Sequence, residues 1–262
     1  MHGKWRAAAP TAGRPTAATV DVWLIEDDLF AADYDVLVRL LDRAERERAA
    51  RFREHRDWRT YVLAHSVLRC LLARRVAASP ATIRFGRGRY GKPFLLRDAG
   101  AAGVRFNLSH TMGWIAIAMA LDVEVGIDVE AIDPLSSSLQ LADQFFCTDE
   151  LQSLYALPAS ARLQGFFNCW TRKEAFIKAT GEGLHRPLDS FAVSLQPGTP
   201  AALLACDGRV DMAAQWSIVD LPVSTCTAGA VAVAAPVVDI TVHRAVGRCL
   251  LGSGNASNLA MS

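Results

Sequence analysis

GIDVE, residues 126–130, is the stretch on which the reading of this sequence turns. It lies in a run of branched apolar residues, 123–129, that reads as a strand. On a strand, Asp128 and Glu130 project from one face while Ile127 and Val129 point the other way into a core. Gly126 leaves room beside the acids for a bulky ligand. Two carboxylates so placed repel each other unless a cation stands between them, and hard oxygen donors select Mg²⁺, with Mn²⁺ as the alternative. Taken alone, the same D-x-E also fits an ordinary solvent-facing strand edge.

Downstream, WTRKEAFIK (170–178) sits in a helix expected over 166–179 and closed by Gly181 and Gly183. Glu174 and Lys178 are one turn apart and share a face with Trp170. They read either as a surface ion pair or as a third acid for the metal and a cation for a phosphate oxygen. Upstream, FNLSH (106–110) ends a strand over 104–108, and a hairpin-like connection leads to a strand over 114–120. Ser109 and His110 can both donate to phosphate, and both are also common turn formers. The Gly-rich segment 85–93 reads as a loop whose YGKP end offers the ring of Tyr90, the permissive Gly91, the cation Lys92 and Pro93. Together these residues supply acids for a divalent ion and Lys92, Arg59, His110 and Lys178 for phosphate charge.

The remaining pattern holds both strands and helices, an α/β make-up. A strand over 20–25 opens it. Leu37, Leu40 and Leu41 recur at helical spacing in a basic helix over 36–52, and a second helix runs from Trp58 to Val76, stopped by Ser79 and Pro80. After a Pro/Ser-rich break over 133–138, a helical stretch ends near Phe146, and Thr148, Asp149 and Glu150 cap the next helix. Strands are expected over 191–195, 215–219 and 230–234. The sequence after Gly113 (WIAIA) faintly echoes that after Gly229 (AVAVA).

Composition narrows the function classes. With 51% hydrophobic and 21% charged residues, the chain has the balance of one or two compact units. A net charge of +1 argues against a broad nucleic-acid surface. Six cysteines without a C-x-x-C pair read as reduced thiols of a cytoplasmic protein. Residues 1–18 lack the apolar run of a secretory signal and read as a flexible extension, and 247–262 as a loosely ordered tail. The longest apolar stretch, 228–238, is broken by Pro236, so no membrane segment is expected.

The ordered set YGKP, FNLSH, GIDVE and WTRKEAFIK resembles the Sfp-type 4′-phosphopantetheinyl transferases, whose G-x-D-x-E and W-x-x-K-E-(A/S)-x-x-K patterns are matched in full. The resemblance spans residues 20–240. It implies an α+β monomer of two similar subdomains related by pseudo-twofold symmetry, 19–121 and 122–246, with coenzyme A in the cleft between them. The implied activity is that of a holo-[acyl-carrier-protein] synthase type enzyme. It would move the phosphopantetheine arm of coenzyme A onto a serine of an apo carrier protein and release adenosine 3′,5′-bisphosphate. The resemblance assigns Asp128, Glu130 and Glu174 to Mg²⁺, and His110, Lys178 and Ser109 to the diphosphate. It assigns Arg59, Lys92, Arg48 and Arg51 to the phosphates of coenzyme A, with Tyr90, Gly91 and Pro93 beside the adenine. Glu174, or Glu150 through a water, would take the serine proton. The stretch 136–146 and Arg162 would face the carrier, whether it serves fatty acid, polyketide or nonribosomal peptide synthesis. Two other readings stand beside this one: a metal-dependent nuclease and a non-catalytic module that binds nucleotide or coenzyme A.

Overall fold

A computed structural model describes residues 17–27, 34–96, 103–134 and 137–246, so the two expected terminal extensions fall almost wholly outside the described residues. The chain opens with β1 (Ala18–Glu26), in which Val20, Val22 and Leu24 alternate into one core and Ile25 turns to another. The helix expected over 36–52 is in fact two, α1 (Tyr34–Leu40) and α2 (Arg43–Ala49). Asp42 divides them, because its carboxylate accepts from the Glu45 amide at 2.9 Å while Glu45 Oε2 accepts from the Asp42 amide at 3.0 Å. That reciprocal capping box starts a new helix where the leucine periodicity alone suggests continuation. Next comes α3 (His55–Arg75). The Gly-rich loop is a short hairpin, β2 (Phe85–Arg87) and β3 (Pro93–Leu95). β4 (Val104–Thr111) and β5 (Trp114–Leu121) follow, joined by a two-residue turn in which Gly113 takes a φ of +81°.

The second half begins with β6 (Val125–Ala131), then α4 (Ser138–Phe145), α5 (Thr148–Ala156) and the long α6 (Ala159–Thr180), which ends on a left-handed Gly181. β7 (Phe191–Val193), β8 (Leu203–Cys206), α7 (Val210–Ala213), β9 (Ser217–Asp220) and β10 (Thr227–Val233) complete it. The last strand, β11 (Val238–Val246), is not anticipated by the sequence pattern. It runs parallel to β1, so the end of the chain returns to the sheet of the first half.

Two sheets result, ordered β11-β1-β5-β4 and β6-β10-β9, with small pairs β2-β3 and β7-β8 beside them. The alternating strands echoed in the sequence, β5 and β10, each occupy an interior position. Three apolar clusters order the layers. One packs α1, α2 and α3 on the outer face of the first sheet, through Ile115, Ile117 and Met119. The second joins the inner faces of both sheets, where Ala116, Ala118 and Ala120 meet Val125, Ile127 and Val129. The third lays α6 on the far face of the second sheet. The small alanines let the sheets approach.

β4 and β6 lie side by side without belonging to one sheet. The amides of Ile127, Val129 and Ala131 donate to β4 side chains instead, to Asn107 Oδ1 at 2.8 Å, Ser109 Oγ at 3.4 Å and Thr111 Oγ1 at 3.0 Å. Alternate β4 residues thus take the place of a partner backbone.

Gly126 serves the fold differently from the sequence expectation. A Cβ at this position would overlap the Ala175 carbonyl oxygen and the Ala179 amide, so the room beside it holds α6 and not a ligand. Gly126→Ala is therefore expected to lower the unfolding free energy by at least about 2 kcal/mol, because neither contacting group is a side chain able to move aside. Urea unfolding followed by tryptophan fluorescence checks this.

Candidate active site

The seam between β4 and β6 carries the polar centre. Asp128 is 2% exposed, and its Oδ1 accepts from Lys178 Nζ at 2.5 Å and from Ser109 Oγ at 3.0 Å. Lys178 also donates to Ser109 Oγ at 3.3 Å, which closes a three-residue knot of strand, strand and helix. Glu130 follows on the same face of β6, and Glu174 lies one turn before Lys178 on α6.

The roll of α6 that aims these two residues is set by their neighbours. Arg172 and Lys173 are wholly buried. The Arg172 fork grips Asp220 at 2.9 and 2.6 Å, and Lys173 donates to Leu188 O and Phe191 O at 2.7 Å each and pairs with Glu150 at 2.8 Å. With these two pinned to the loops and strands behind the helix, residues 174 and 178 face β6.

The charges of the centre are poorly balanced. Burial, then the like charges of Asp128 and Glu174, push the Glu130 carboxyl up to about 7 against the pull of Lys178. Burial and Asp128 raise Glu174 in the same way. Asp128 Oδ2 is buried with no hydrogen-bond partner. Among the described residues, no three His, Cys, Asp or Glu side chains stand as a preformed metal-holding group. The donors nevertheless suit a hard divalent cation: all are carboxylate oxygens, one is an orphaned buried atom, and two belong to acids whose pKa stays raised despite Lys178.

Two clefts carry other residues of the expected site. One, of about 540 Å³, is lined by Arg48, Arg51, Phe52 and Arg87. The other, of about 750 Å³, is lined by Tyr90, Lys92, Pro93, Phe94, Arg105 and Thr180 among others.

Comparison with known proteins accounts for the arrangement in two adjoining segments. A model of the N-terminal part of 4′-phosphopantetheinyl transferases matches residues 30–122, and one of the 4′-phosphopantetheinyl transferase superfamily matches 124–230. The transferase HetI of a Nostoc species is 34% identical over 218 residues, 82% of this chain and 87% of its own. The chain belongs to the 4′-phosphopantetheinyl transferases. Within them it is of Sfp type: Sfp of Bacillus subtilis is 35% identical over 153 residues, 58% of this chain and 65% of Sfp. A further B. subtilis 4′-phosphopantetheinyl transferase is 31% identical over 181 residues, 69% of this chain and 78% of its own.

In this transferase, the residues singled out from sequence separate into three groups. Ser109, Asp128 and Lys178 meet at the seam, with Glu130 and Glu174 within electrostatic range of Asp128. His110 stands exposed at the end of β4, where desolvation, then His65 and Lys178, lower its pKa and Asp27 and Asp57 oppose the drop. Arg48 and Arg51 share a cleft with Arg87, a residue the sequence reading passed over because it sits in a Gly-rich turn region. Arg59 lies with its guanidinium 4.5 Å from the Tyr34 ring centroid. Tyr90 faces His185 at 4.9 Å between ring centroids, and Gly91 takes a φ of +90° in the hairpin turn.

Two residues take other tasks than those expected. Lys92 donates to Glu124 at 2.8 Å, Val125 O at 3.1 Å and Ala179 O at 2.8 Å, so its three protons tie the hairpin to β6 and to the end of α6 and none is left for a phosphate. Glu150 is 2% exposed, and besides its pairing with Lys173 it accepts from the amides of Cys147 at 3.0 Å and Val193 at 2.8 Å. A carboxylate so occupied is a cap and an anchor, not a base awaiting a substrate proton. The capping part of the Glu150 role is the one expected from sequence, whereas the ties of Lys92 to Glu124, Val125 and Ala179 and of Glu150 to Lys173 and Val193 join groups distant in sequence.

The raised pKa of Glu130 has a signed consequence for the metal-free protein. Between the ordinary glutamate value and about 7 the folded state holds a proton that the unfolded chain has lost, so this group's contribution to stability declines as pH rises through that window. Glu130→Gln is expected to raise the melting temperature above pH 7 in the presence of a chelator and to change it little at pH 5. Paired thermal melts at the two pH values measure it.

Proposed function

We propose that this transferase binds the nucleotide end of coenzyme A in the arginine cleft and against the 88–93 turn, and that its diphosphate meets the Ser109 and Lys178 donors at the seam and reaches His110 at the end of β4. Asp128, Glu130 and Glu174 would hold Mg²⁺, which when bound neutralises diphosphate charge. The serine Oγ of an apo carrier protein attacks the β-phosphorus of coenzyme A. The new O–P bond forms as the bond to the bridging oxygen of the α-phosphate breaks, and adenosine 3′,5′-bisphosphate leaves. Lys178 and His110 donate to oxygens on which charge accumulates. Glu174, whose carboxyl is held above the usual glutamate range by burial and Asp128, takes the serine proton.

The observation that carries this reading is the knot of Ser109, Asp128 and Lys178, flanked by two acids whose pKa values are raised by burial and then by the charge of Asp128. A net charge of +1 argues against the broad basic surface of a nuclease, and a simple anion binder gains nothing from buried acids at the seam. The carrier would approach α4, where Leu139 and Phe145 are exposed at the surface. We further assign activity on acyl as well as peptidyl carrier domains, a monomeric state and a cytoplasmic location, in keeping with the unpaired thiols of the five described cysteines. No helix among the described residues is long and apolar enough to cross a membrane.

Incubation with apo carrier protein, coenzyme A and Mg²⁺ is expected to add the mass of one phosphopantetheine to the carrier. Asp128→Asn should lower kcat by about 10³-fold or more while the protein stays folded. Arg87→Ala should raise the KM for coenzyme A about ten-fold with kcat little changed, as expected for loss of one charge-assisted contact to a phosphate. Full activity in Asp128→Asn would discard the site.

A further inference from the structure

Asp27 lies just past the end of β1 and belongs to none of the motifs. Its amide prolongs the β1–β5 ladder by donating to Gly113 O at 2.9 Å, and its Oδ2 accepts from Thr60 Oγ1 of α3 at 2.6 Å. Its Oδ1 is buried and has no hydrogen-bond partner. Desolvation raises its pKa, with Arg56, His110 and Arg59 acting in the opposite direction.

Strand register shows what lies opposite. Ile25 of β1 pairs with Ile115 of β5, and Ile115 pairs with His110 of β4. Residues directly paired across antiparallel strands point to the same side, so Ile25, Ile115 and His110 form one row on the face covered by α3. Asp27, two residues beyond Ile25, shares that side. An orphaned carboxylate oxygen and an imidazole therefore emerge on one face at one end of the sheet, and each acts on the charge of the other. The other charged or titratable groups about the pair are Arg56, Asp57, Arg59 and His65 of α3 and Lys178 of α6.

We propose that Asp27 is the positioning residue for His110: its Oδ1 accepts from one ring nitrogen, which fixes the imidazole so that the opposite nitrogen donates to a phosphate oxygen of coenzyme A. The inference rests on the reading above that His110 binds the diphosphate. Thr60 holds the carboxylate from behind, and the β1–β5 ladder sets its height. The arrangement gives the exposed His110 a buried acceptor, which an imidazole needs if it is to keep one tautomer.

The experiment is a double-mutant cycle on the full chain, with KM for coenzyme A and kcat measured for wild type, Asp27→Asn, His110→Ala and the double variant, and melting temperatures alongside. The expected result is a rise in KM of about ten-fold in Asp27→Asn with an unchanged melting temperature, and no further rise when Asp27→Asn is added to His110→Ala. If His110→Ala leaves KM unaltered, the diphosphate reading of His110 fails and this inference with it. If His110→Ala raises KM but Asp27→Asn does not, or if the two effects simply add, the positioning role alone is overturned. Ring ¹⁵N spectra of the wild-type protein give an answer that needs no variant to fold. One dominant His110 tautomer when neutral supports the role, and a fast-exchanging mixture overturns it.

Discussion

The approach of α6 to β6 at Gly126 is the contact on which the rest of the molecule depends. Only a residue without a Cβ lets the carbonyl of Ala175 and the backbone of Ala179 sit against the strand. At that separation Lys178 reaches Asp128, and Glu174 comes within electrostatic range of both β6 acids. An additional side chain at 126 would lift the helix and loosen every polar contact across the seam together. The glycine of G-x-D-x-E is therefore a packing residue whose effect on chemistry is indirect.

Close approach alone does not aim a helix; buried charge does so here. Arg172 and Lys173 are fully sequestered, and each is satisfied by carboxylates and backbone carbonyls on segments behind α6. Burying such cations gains little net stability, but a different roll of the helix would leave them without partners, which is far more costly. Arg69 does the same in the first half. Also fully buried, it binds Glu45 and Asp42 at 2.6 Å and the carbonyls of Pro80 and Ile83 at 3.0 and 2.9 Å, and so locks the start of α2 to α3. Arg48 and Arg51, which line the arginine cleft, project from the end of that helix. In both halves, a buried cation lies a few residues or one helix away from the cations of the candidate site.

This explains which parts of the site were legible in the sequence. The placement of Asp128, Glu130, Glu174 and Lys178 could be read because period-two and period-four spacing dictate which side chains share a face. The alternating strands β1, β5 and β10 and the helices α3 and α6 were visible for the same reason. Asp27, the task of Lys92 and the anchoring of Glu150 beyond its helix cap were not, because each depends on tertiary partners: a threonine 33 residues away for Asp27, the carbonyl of Ala179 for Lys92, the amide of Val193 for Glu150. β11 escaped notice because its sequence mixes Asp, Thr, His and Arg with valines, so its place beside β1 comes from pairing and not from an apolar period. The break between α1 and α2 hinged on Asp42 and Glu45, which carry the spacing of a capping box, but the leucine stripe running through them conceals it.

The polar seam also constrains how the chemistry can be dissected. Ser109 is at once the acceptor for the Val129 amide, a donor to Asp128 and a neighbour of the Lys178 ammonium. Asn107 and Thr111 have only the first of these functions, holding the amides of Ile127 and Ala131. Removing the Ser109 hydroxyl would strand a buried amide and deprive Asp128 of a donor before any substrate is considered, a penalty of about 1–3 kcal/mol for the unsatisfied group alone. A loss of activity in such a variant does not by itself identify a contact to coenzyme A. Asn107 provides the reference: a change there disturbs the same seam without touching Asp128 or Lys178, so the difference between the two positions isolates what the Ser109 hydroxyl contributes to the charged centre.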